Sequence, residues 1–169
     1  MRVEIVEKIP EHSWVSQATA KGTPENRALQ NFFSSLNSEE SQFSVEYPGS
    51  GTFQESGQTG EVYCGDFVIT FRSPEEAKNT ALHFTLLQKL SELLQSAGSS
   101  ATLGVMLSLI KVPPRKGQKA GVALGLRLEA NGESVEQAEL RWGLGLAHVQ
   151  QALLFASRWL RQQSSAQAN

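Results

Sequence analysis

The side chain best suited to covalent chemistry is Cys64, the one cysteine, which precedes Gly65 and Asp66, the one aspartate. A thiol nucleophile needs a base and an orienting group within reach. The available bases are His12, His83 and His148. No signature of a catalytic cysteine surrounds Cys64, and free cysteine is among the most buried residue types. A small apolar strand residue is therefore the default, and a cysteine-dependent enzyme at Cys64 is the second alternative. The histidines are far apart, with no Cys-x-x-Cys or His-x-x-x-His pattern, so no metal site is expected. Gly143 and Gly145 have the spacing of two phosphate-loop glycines, but no Walker lysine or dinucleotide fingerprint accompanies them. No cofactor is expected.

Charge gives a further candidate. Residues 1–100 carry 13 acidic and 7 basic side chains, a balance of −6, and residues 101–169 carry 4 and 8, a balance of +4. Lys111, Arg115, Lys116 and Lys119 cluster in one stretch, and with Arg158 and Arg161 they could meet phosphates or an acidic protein face. Residues 111–119 hold no aromatic for base stacking, and the sequence pI is about 5.9. Nucleic acid is thus the alternative partner, not the favoured one.

Any of these side chains must be positioned by a fold, and 169 residues suffice for one core without staples. Residues 1–163 are expected as one globular domain and 164–169 as a disordered polar tail. Hydrophobic content of 40% and charged content of 19% are ordinary for a globular protein. No run of eighteen apolar residues marks a membrane span. The start lacks the apolar stretch of a secretory signal, and one cysteine fits a reducing compartment. A cytoplasmic protein is expected.

The chain opens with a strand over Arg2–Ile9, stopped by Pro10. Thr23-Pro24 reads as a helix start, and Ala28, Leu29, Phe32, Phe33 and Leu36 predict a helix over 24–37. Phe43, Val45 and Tyr47 alternate as a short strand, followed by a polar loop over 48–60. Strands 61–64 and 67–72 should flank a turn at Gly65-Asp66. Ser73-Pro74-Glu75-Glu76 has the capping-box arrangement and starts a helix predicted over 74–97. Its face of Leu82, Leu86, Leu90, Leu93 and Leu94 meets the core. Ala77, Ala81 and Phe84 lie nearly opposite, which predicts contact with the 48–60 loop or with another copy. Residues 102–112, apolar on both parities, suit a central strand.

The stretch from Ala120 to Gln163 organises the rest. Val122, Leu124, Leu126, Leu128 and Ala130 alternate with Ala123, Gly125, Arg127 and Glu129. After Asn131–Glu133 the alternation resumes as Ala138, Leu140, Trp142, Leu144 and Leu146, which predicts a hairpin with Leu124 opposite Leu140. Ser134 to Gln137 is also a capping box, so a helix starting at Ser134 competes. The strand is preferred because that helix would hold two glycines, at about 1 kcal/mol each. A final helix is then expected over 147–163, with Leu154 inside its polar stripe.

The fold class is α+β: a mainly antiparallel sheet of about six strands, with helices at 24–37, 74–97 and 147–163 mostly on one face. As an order of elements, helix, three strands, helix, strands, helix is similar to the small acidic chaperones of bacterial type III secretion. The first strand and the long last helix depart from that pattern. The expected function is a non-enzymatic protein-interaction domain of adaptor, chaperone-like or inhibitor type. It is expected to self-associate as a homodimer through Ala77, Ala81, Phe84 and Leu154, with the basic residues as a partner site.

Overall fold

The computed structural model describes residues 1–9, 27–38, 41–54, 61–96, 102–114 and 120–168. The class is α+β, and the described strands form one five-stranded sheet in the order β1-β4-β5-β3-β2. These strands are β1 (Arg2–Ile5), β2 (Phe43–Gln54), β3 (Glu61–Phe71), β4 (Leu103–Val112) and β5 (Gly121–Gly132). The sheet is mixed rather than antiparallel throughout, because β1 runs parallel to β4. The described helices are α1 (Arg27–Leu36), α2 (Pro74–Ala77), α3 (Thr80–Ser96) and α4 (Val135–Ala168).

One face of the sheet carries Phe67, Ile69 and Phe71 of β3, Val105 and Leu107 of β4, and Leu124, Leu126 and Leu128 of β5. Leu29, Phe32 and Leu36 of α1, Leu86, Leu90 and Leu94 of α3, and Trp142, Val149, Leu153 and Leu160 of α4 pack onto it. The alternation read in β5 is the observed one. Its strand neighbours are β3 and β4, however, and residues 138–146 take no part in the sheet.

Those residues belong to α4, so the hairpin and the sixth strand are corrected to a helix that begins at Val135. Ser134 caps it: its Oγ accepts from the Gln137 N–H at 3.2 Å, and Gln137 Oε1 accepts from the Glu133 N–H at 2.7 Å. Gly145 is needed here for close approach rather than being a defect. A Cβ on it would lie 3.0 Å from Leu103 and 3.1 Å from Leu128. The helix also continues through Ala168 instead of ending near 163. Alanine and glutamine extend a helix already begun at little cost.

The helix predicted over 74–97 is two helices. Lys78 and Asn79 break it, and Asn79 restarts it by accepting from the Leu82 N–H at 3.0 Å, as an N-cap should. The strand predicted to end at Tyr47 runs on to Gln54, with a register shift between Glu46 and Gly49. Pro48 sits inside that irregularity on an edge strand, where a missing N–H is tolerated. No turn forms at Gly65-Asp66, and β3 passes straight through it. β1 ends at Ile5, and the chain then crosses the sheet face opposite the helices. Ser108 Oγ donates to the Glu7 carbonyl at 2.9 Å, and Ile9 reaches over Gly125. Residues 10–23 and 24–26, with Trp14 and the expected helix start, lie outside the described residues.

Candidate functional site

Pairing between β3 and β5 sets Cys64 opposite Glu129 and Asp66 opposite Arg127, on the sheet face away from the helices. Arg127 Nε donates to Asp66 Oδ1 at 2.6 Å, and Nη2 donates to Oδ2 at 2.8 Å. Two parallel charge-assisted bonds hold the guanidinium flat against the strand. The Arg127 side chain is only 2% exposed and that of Asp66 26%. Arg127 Nη1 is buried without a hydrogen-bond partner among the described residues. Burial opposes the guanidinium charge, but the hydrogen bonds and charge of Asp66 outweigh it and hold the group above its ordinary pKa.

The same surroundings silence the thiol. Burial, then the Glu129 carboxylate, pushes Cys64 far above the ordinary cysteine range; Arg127 opposes this more weakly. Among the described residues its neighbouring base is the Glu129 carboxylate, which disfavours the thiolate by its charge, and neither described histidine pairs with it. His83 lies in α3, where Nδ1–H donates to the Asn79 carbonyl at 2.7 Å and the ring meets Phe71 edge-on. His148 is exposed on α4, and His12 is outside the described residues. Native Cys64 should therefore resist alkylation and react at full rate after unfolding.

A pH dependence follows from the same shift. The unfolded thiol ionises near about 8.5, while the folded one stays protonated well above that. Below about pH 8.5 the contribution is fully present. Above it the unfolded state loses a proton that the folded state keeps, so stability falls by up to about 1.4 kcal/mol per pH unit. Denaturation of wild type and Cys64→Ala between pH 7 and 10 should show this extra slope in wild type only. Equal slopes would contradict the assignment.

The described members of the expected site fall on different elements. Lys111 is exposed at the end of β4, and Arg158 and Arg161 are exposed on α4, while Arg115, Lys116 and Lys119 lie outside the described residues. Of the self-association candidates, Phe84 is 51% exposed and Ala81 is exposed. Ala77 and Leu154 are partly buried against the core. No three His, Cys, Asp or Glu side chains converge to hold a metal ion among the described residues. No described helix is long and apolar enough to cross a membrane.

The surface that sequence reasoning missed is on α4. Leu140 is 73% exposed, Leu144 66% and Phe155 52%. At about 100° per residue these three side chains fall within one 60° sector of the helix. Trp142, Val149, Ala156 and Leu160 occupy the opposite side, against the sheet. α4 packs on α1 along one flank, where Gln150 donates to Ser35 at 2.9 Å, and on α3 along the other, where Lys89 lies over Trp159. Its outer ridge is thus the central strip of the helical layer. Ala147, His148, Gln151 and Arg158 complete that ridge, all exposed. No family model, curated protein or solved structure matches the chain.

Proposed function

We propose that the chain is a non-catalytic protein-interaction domain that docks a partner on the outer ridge of α4. The observation that carries this reading is the exposure of Leu140, Leu144 and Phe155 along one line of a helix whose other side fills the core. Scattered exposed leucines are normal, but aligned ones on a rigid element favour an interaction surface. The buried thiol, held protonated by burial and by the Glu129 carboxylate, supports a role without nucleophilic chemistry.

The sheet edges offer less to a partner. β1 is four residues long, and β2 carries the Pro48 irregularity, both devices that blunt strand addition. The ridge has no such protection.

The test is a Leu140→Glu/Leu144→Glu double variant, compared with wild type in affinity capture from the source lysate. Both positions are exposed, so the change in fold stability should stay within about 0.5 kcal/mol per site. Burying a leucine side chain contributes about 1.5–3 kcal/mol, and a glutamate in its place adds the cost of desolvating a charge. Partners held by wild type should therefore be lost from a variant with unchanged melting. Retention of the same partners by the folded variant would remove the reading.

A further inference from the structure

We propose that the occupant of the α4 ridge is a second copy of this chain, packed antiparallel across a two-fold axis beside Ala147 and His148. The inference rests on the reading of the ridge as a docking surface and names its partner.

The ridge is complementary to itself in that direction. Turned about a two-fold axis between Ala147 and His148, Leu140 of one copy faces Phe155 of the other, and Leu144 faces Gln151. Each pairing occurs twice, so all six large apolar side chains of the two ridges come to lie in one seam. Small Ala147 lies at the crossing, where two helix backbones approach most closely. The contact is isologous and closes on itself, leaving no ridge free to extend a chain of copies.

Charge selects the same orientation. Glu136 stands near the start of α4 and Arg158 ten residues before its last residue, Ala168, at the far end of the ridge, both exposed. Antiparallel packing brings the Glu136 end of each copy beside the Arg158 end of the other and opposes the two helix dipoles favourably. Parallel packing would set Glu136 against Glu136 and Arg158 against Arg158. From Gln137 to Arg158 the ridge is about 32 Å long. With its flanks it buries on the order of 1,000 Å² in total, at the lower end for a specific complex. A dissociation constant in the micromolar range is expected.

Sedimentation equilibrium of the full chain up to 500 µM should give twice the 18.5 kDa chain mass. Leu144→Glu should weaken the dimer at least about 30-fold, while Phe84→Glu on α3 should leave it unchanged. Glu136→Arg and Arg158→Glu should each weaken it, and the two together should restore it. In a Cys64→Ala background, Ala147→Cys should form a disulfide-linked dimer on mild oxidation and Val135→Cys should not. Circular dichroism checks that each variant is folded. A wild-type monomer at 500 µM overturns the dimer, as does a dimer indifferent to Leu144→Glu. Weakening by the single charge reversals without restoration in the double overturns the antiparallel arrangement. If wild type is monomeric while Leu140→Glu/Leu144→Glu still loses captured partners, this inference fails and the docking surface stands.

Discussion

Replacing Trp142 by alanine is expected to cost about 3–5 kcal/mol of folding stability, enough to unfold a marginal domain of this size. Trp142 is fully buried, and its Nε1 donates to the Leu128 carbonyl at 3.1 Å. Its ring stacks on Phe67 at 6.1 Å and meets Tyr63 edge-on at 5.1 Å. Beneath it is Gly65, where a Cβ would lie 2.4 Å from the Trp142 ring. The tryptophan and the glycine therefore define one joint between α4 and β3. Gly65→Ala alone should cost about 1–3 kcal/mol by overpacking, and Trp142→Phe a similar amount through the space it leaves. Combined, the smaller ring should admit the methyl, so the double variant should lose at least about 1 kcal/mol less than the two costs added. Urea unfolding of the four proteins measures this. Additive costs would mean that the two residues do not share the joint.

That joint explains why the fold was only partly legible in sequence. The β5 alternation and the apolar face of α3 were readable because large apolar side chains line one face of each, although the other face of β5, with Ala123 and Arg127, is buried as well. Residues 138–146 misled because α4 is apolar on two sides. Ala138, Trp142 and Leu146 point to the core, while Leu140 and Leu144 point outward, and the interleaved sets imitate a strand's period of two. The signal that separates the readings was present. Ala138, Trp142, Gly145, Val149, Ala152, Ala156 and Leu160 recur at steps of three and four without a break, and Ser134 caps the start. The glycine cost that argued for a strand assumes an unpacked helix. Gly145 is packed against Leu103 and Leu128, where a larger residue would have to displace both.

The same misreading hid the candidate site. As strand residues, Leu140 and Leu144 were assigned to the buried face, yet they are the most exposed large apolar side chains among the described residues. Gly65-Asp66 was misread for a different reason. A Gly-Asp pair is a turn signal by local chemistry, but here both residues answer to distant partners. Gly65 yields to Trp142, and Asp66 answers to Arg127, which is 61 residues away in sequence. Local propensity carries no information about such pairings.

The Asp66–Arg127 pair should respond asymmetrically to truncation. Breaking a buried ion pair costs about 3–5 kcal/mol because it leaves a charge without compensation, but the cost depends on which charge remains. Arg127 is 2% exposed and cannot turn to water, whereas Asp66 is 26% exposed and can. Asp66→Ala is therefore expected to cost about 3 kcal/mol, toward the low end of that range because Glu129 still neutralises part of the field around Arg127. Arg127→Met should cost only about 1–2 kcal/mol, the value of the lost charge-assisted bonds once Asp66 is resolvated. The double variant should recover to near the cost of Arg127→Met or better, since an apolar pair of similar volume on a buried sheet face has no charge to desolvate. Guanidinium chloride would screen part of this effect, so urea is the appropriate denaturant. Equal costs for the two single variants would mean that the exposure of Asp66 gives it no route to solvent. A double variant worse than Asp66→Ala would mean that the pair is held by packing of the arginine stem rather than by its charge.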